Sequence, residues 1–125
     1  MGLDMYAHSL AKDAQRPAVD FDIEGLERDT RIHYWRKHPN LHGWMTQLYF
    51  EKGGTDPDFN VHAVEITLAD LDALERAVLG NDLPETTGFF FGETTGEERA
   101  DDLEFIRKAR AEIAAGRTIA YYAWW

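Results

Sequence analysis

The chain has 125 residues with 23 acidic and 13 basic side chains, a net charge of -10, and is 44% hydrophobic and 13% aromatic. That length and apolar content predict one domain with its own core and argue against disorder. The charge argues against direct contact with nucleic acid or an anionic membrane, the lack of cysteine removes disulfides and thiolate chemistry, and no apolar run approaches the roughly 20 residues of a membrane span.

Leu3, Met5 and Ala7 alternate with Asp4, Tyr6 and His8, which predicts a first strand. The polar stretch that follows ends in Pro17 and reads as a loop. Val19, Phe21 and Ile23 alternate with Asp20, Asp22 and Glu24, a second period-two stretch ended by Gly25. Arg31 to Trp35 is β-branched and aromatic, so a hairpin between it and the preceding stretch is expected. The period changes after Pro39. Leu41, Trp44, Met45 and Leu48 fall on one helix face, with Pro39 suited to the first turn and Gly53 and Gly54 to the stop.

Val61 to Ile66 reads as a short strand. Thr67 and Asp70 have capping-box spacing before a helix that carries Leu68, Leu71, Leu74 and Val78 on one face. Thr94 with Glu97, and Thr95 with Glu98, repeat that spacing before a third helix with Leu103, Ile106, Ala109 or Arg110, and Ile113 inward. Its acids come early and its bases late, as the helix dipole favours, so the acidic run has a structural cause. Residues 117–125 read as a last strand, with Ile119, Tyr121, Ala123 and Trp125 on one face and Tyr122 and Trp124 on the other. The chain is expected to be an α+β single domain spanning 1–125, with 11–30 as a variable loop or hairpin region. About three helices should pack on one mainly antiparallel sheet of four to five strands.

Three segments are more peculiar than folding requires: MGLDMY at 1–6, YWRKHPNLHGW at 34–44 and LPETTGFFFGE at 83–93. Together they resemble a family of short, uncharacterised bacteriophage and prophage proteins with MGLDMY, YWRK…LH and LPxTxGFFFG motifs in this order. The resemblance covers nearly the whole chain. It implies a phage or prophage origin and a host cytosolic location, and it carries no established activity. There is no GxxxxGK and no GxGxxG, so a nucleotide-binding loop is not expected.

The residues themselves offer several sites. Arg36 and Lys37 lie beside Trp35 at a helix start, where two cations and free backbone N–H groups can hold an anion, with His42 and Trp44 completing a pocket. His38 and His42 are four apart, a spacing that can chelate metal, but no third ligand is evident and none is assigned. Asp4, a carboxylate at an apolar strand start, requires a partner, and Arg36 is the natural one for a structural ion pair. Between two glycines, Phe89, Phe90 and Phe91 cannot all serve one core if extended, so Phe90 is expected to point outward.

No nucleophile–base arrangement is legible, so no catalytic residue and no cofactor is assigned. The preferred expectation is a small acidic accessory protein that binds a host or phage protein, such as a defence or nucleic-acid-processing complex, through Phe90, Trp35 and Glu93. A homodimer through the C-terminal strand is a further expectation. The alternative is a ligand-binding protein or enzyme with the anion pocket near Arg36, Lys37 and His42.

Overall fold

The computed structural model describes residues 2–21, 30–88 and 91–125. Its elements run β1 (Asp4–Ala11), β2 (Arg31–Arg36), α1 (Pro39–Glu51), β3 (Ala63–Ile66), α2 (Leu68–Leu79), α3 (Arg99–Ala114) and β4 (Arg117–Trp124). The strands form one antiparallel sheet in the order β2-β1-β4-β3. Three helices pack with it, which gives the expected α+β domain.

Strand alternation divides the sheet into two faces. Met5, Ala7, Trp35, Tyr121, Ile119 and Val64 are buried on the helix side. Tyr34, Tyr6 and Tyr122 stand side by side in register on the other, with ring centroids 5.3 and 6.5 Å apart. The inner residues meet Leu41, Met45, Leu71, Leu74, Phe105 and Ile106 from the helices. Each such fully buried side chain contributes about 1.5–3 kcal/mol.

Two expectations about strands change. β2 pairs with β1, Asp4 opposite Arg36, and not with the stretch around Val19. Val19 makes only an isolated bridge to Val64, where the amide of Glu65 donates to Ala18 O at 2.8 Å and the amide of Asp20 donates to Ala63 O at 3.0 Å. The rest of that proposed strand, from Asp22, lies outside the described residues. A period-two pattern specifies an extended conformation but not its partner, and β1 supplied the longer ladder. β4 lies between β1 and β3. Along Ile119–Tyr122 both of its backbone edges are taken, so there a second copy can meet it only through side chains.

The helix signals placed the elements well and the caps less well. Thr67 and Asp70 form the reciprocal box at the start of α2. Leu68, however, is exposed in that first turn, and the buried stripe is Leu71, Leu74 and Val78. α3 begins only at Arg99. The Glu98 carboxylate accepts from the amides of Thr95 and Gly96, but Thr94 does not cap this helix. Its hydroxyl accepts the amide of Asn40 at 3.1 Å and so caps α1 instead.

Candidate functional site

The three peculiar segments meet around the first turns of α1. The amide of Thr86 donates to Asn40 Oδ1 at 3.1 Å, which lays the 83–88 segment against the helix. Gly43 makes the approach possible: a Cβ there would overlap Thr86 Oγ1 and lie 2.9 Å from Thr86 Cβ. Gly92, with a φ of 73°, passes Lys37 so closely that its Cβ would sit 2.9 Å from Lys37 Cβ. Gly2 lies against the Arg36 and Lys37 side chains. The 83–88 segment separates two cavities, with Glu85, Thr86 and Thr87 lining both. His38 lies at one and His42 at the other, one helical turn apart.

The first cavity holds about 520 Å³. On its lining, His38 Nδ1 is 3.0 Å from Thr94 Oγ1, and His38 Nε2 is 2.9 Å from Asp102 Oδ2. Trp35 Nε1 donates to the other carboxylate oxygen at 3.1 Å. His38 and Asp102 are each only 1% exposed. Asp102 is an acceptor, so Nε2 carries a proton; in the neutral imidazole Nδ1 accepts, and the Thr94 hydroxyl donates to it. Thr94 Oγ1 meanwhile receives the Asn40 amide. Every polar atom of this buried chain is thus matched, as burial requires.

The second cavity holds about 570 Å³. His42 is 2% exposed and its Nδ1 lies 2.7 Å from the Tyr121 hydroxyl. Burial depresses the His42 pKa to about 4 and drives that of Tyr121 well above its ordinary value, so both groups are neutral near neutral pH. The buried hydroxyl has His42 as its partner, so it donates to Nδ1 and leaves the ring proton on Nε2. Nε2 has no hydrogen-bond partner among the described residues and is not among their sealed polar atoms. It therefore offers a donor to the cavity. Phe91 and Trp125 stand edge-on to the imidazole, with centroids 5.4 and 4.9 Å away. Asp58 and Glu85 are the acids of the lining, and no lysine or arginine contributes among the described residues.

Neither of these two cavities brings Arg36, Lys37, His42 and Trp44 together. Arg36 and Lys37 line neither cavity. Arg36 ends β2, its Nε 3.5 Å from Asp4 Oδ1 on the neighbouring strand. Lys37 takes a left-handed turn, φ 54°, between strand and helix. Trp44 is half-buried and lines neither cavity. Trp35, expected at a partner surface, is 4% exposed and packs edge-on to Phe105 at 4.8 Å. Glu93 is exposed at the first cavity. Phe91 enters the core, while Phe89 and Phe90, including the expected outward ring, lie outside the described residues.

His38 and His42 turn to different partners and do not converge on one point. His33 lies beside Lys108 and 3.0 Å from Asp101, without hydrogen-bond alignment to that carboxylate. Sequence reasoning missed Asp102, Thr94 and Tyr121. A signal existed for Asp102: it falls at i-4 from Ile106 on the apolar stripe of α3, an unusual place for a carboxylate. Neither Thr94 nor Tyr121 carries a comparable signal, because their partners lie far along the chain. No family model, curated protein or solved structure matches this chain.

Proposed function

We propose that the protein binds a small planar heterocycle, uncharged or cationic, in the cavity over His42. The observation that carries this reading is a buried neutral imidazole with one nitrogen unmatched among the described residues and open to a cavity. A donor fixed on a buried ring and open to a cavity is a point where a ligand acceptor can take the place of water. Around it stand the edge-packed Phe91 and Trp125 rings and the acids Asp58 and Glu85. The complementary ligand carries a carbonyl oxygen or ring nitrogen for Nε2 and an amino group for the carboxylates. Amino-bearing heterocycles of the nucleobase type have both. Without lysine or arginine in the lining, phosphorylated ligands are disfavoured, unlike the anion expected from Arg36 and Lys37.

Calorimetric titration with cytosine, adenine, uracil and inorganic phosphate tests this. The amino-bearing bases should bind, phosphate should not, and His42→Gln should weaken binding by about tenfold or more. Binding that survives unchanged in both His42→Gln and Trp125→Ala removes the proposed location. No binding by any base at millimolar concentration removes the ligand class.

A second reading, the phage-type accessory protein with a protein partner, draws on Trp124 and Tyr34. These are 49% and 44% exposed on the outer face of the sheet. Exposed aromatics favour interface hot spots. Affinity capture from host lysate, compared between the parent and Tyr34→Ala/Trp124→Ala, tests it; capture of the same proteins by both counts against that face.

A further inference from the structure

The Thr94–His38–Asp102 chain is more completely built than a helix cap needs. A threonine caps α1 by accepting the Asn40 amide alone. Here the same hydroxyl is also oriented by an imidazole whose far nitrogen is held by a buried carboxylate, and that carboxylate is fixed in turn by the Trp35 indole. Sequence places these groups at 35, 38, 94 and 102; β2, the start of α1, the segment before α3 and the first turns of α3 bring them together. Thr94 lies on the lining of the first cavity, while the imidazole and carboxylate behind it are buried.

We propose that Thr94 Oγ1 is an activated nucleophile for acyl transfer from small uncharged or amino-bearing esters. A hydroxyl becomes a competent nucleophile when a base stands within hydrogen-bond reach and a third group orients that base. Both distances are met here, at 3.0 and 2.9 Å. The Asn40 amide, at the positive end of α1, donates to the same oxygen, fixing its position and stabilising it as its proton leaves. Ester charge follows from the lining: Glu85, Glu93 and Glu98 outnumber Arg99, whose guanidinium is already engaged by Leu79 O.

The step balances without a further reactant besides water. Thr94 Oγ1 attacks the acyl carbon and its proton passes to His38 Nδ1. Asp102 holds the imidazolium through Nε2–H. The tetrahedral intermediate expels the alkoxide, which takes the proton from Nδ1 and leaves as the alcohol. The Oγ1–C bond has formed and the ester C–O bond has broken. Water then attacks the acyl carbon and gives a proton to Nδ1. The acid departs as that proton returns to Thr94 Oγ1.

The probe is p-nitrophenyl acetate, with nitrophenolate release followed by absorbance and the acetylated residue located by peptide mass spectrometry. The parent should carry acetyl on Thr94. Thr94→Ser should retain labelling at position 94, Thr94→Val should lose it, and His38→Gln should slow it by about tenfold or more. Acetyl found only on lysines or the N-terminal amine overturns the proposal, as does Thr94 labelling that is undiminished in folded His38→Gln. Mapping on the parent decides the matter even if a variant fails to fold. The inference is independent of the His42 cavity, and heterocycle binding measured on Thr94→Ser separates the two.

Discussion

The Tyr121 hydroxyl lies 2.7 Å from His42 Nδ1, a contact between residues 79 positions apart. Desolvation depresses the His42 pKa from 6.5 to about 4. The unfolded chain therefore takes up the proton first as the pH falls. The stability linked to neutral His42 is complete above 6.5 and lost as the pH drops toward 4, amounting to about 3 kcal/mol. Denaturant unfolding of the parent and His42→Gln across that range checks this: the parent should lose stability that the variant does not. Parallel losses would assign the pH dependence to other groups.

Gly43→Ala should destabilise the protein by about 1–3 kcal/mol, although alanine favours a helix interior by about 1 kcal/mol. The new methyl would meet Thr86, which cannot easily yield because its amide is held by Asn40 and its hydroxyl by Pro84 O. Adding Thr86→Ala removes the nearest clashing atom and should recover part of the loss. Chemical denaturation of the single and double variants measures both effects. A Gly43→Ala protein as stable as the parent would mean the 83–88 segment moves aside freely.

Asp4→Asn should change stability by less than about 1 kcal/mol, because the pair with Arg36 is largely solvated and Asn can still accept from Tyr34. The Arg36 side chain is 50% exposed, and the Tyr34 hydroxyl donates to Asp4 Oδ1 at 2.6 Å. That hydrogen bond is the main cause raising the Tyr34 pKa to about 12, with burial and the carboxylate charge adding to it. In Asp4→Asn, Tyr34 should ionise closer to 10. Ultraviolet titration of the phenolate reads the shift; an unmoved value refutes the assignment to Asp4.

Neighbouring tryptophans at the end of the chain should behave differently. Trp125 packs on His42 and Phe91, each at 4.9 Å, and its amide donates to Asn60 Oδ1. Trp124 is half-exposed, with its indole N–H near the Tyr6 hydroxyl. Trp125→Ala should lower stability by about 2 kcal/mol or more through the cavity it opens, whereas Trp124→Ala should stay within about 0.5 kcal/mol. Equal losses in thermal and chemical unfolding would show that both rings are structural.

Sequence by itself determined the α+β class, the register of inward and outward residues in β1 and β4, and the box that starts α2. Each depends on spacing within one element: period two in a strand, 3.6 in a helix, three residues across a capping box. The tertiary structure alone decided where Thr94 bonds, since its hydroxyl had a local candidate at α3 and took a distant one at α1. It also decided that Trp35 is interior, that Arg36 and Lys37 stand apart from His42, and that Asp102 closes on His38. Those outcomes depend on which segments pack together, through contacts between residues far apart in the chain. No local period encodes such contacts, so aromatic and charged residues that looked like surface signals could be absorbed by the core.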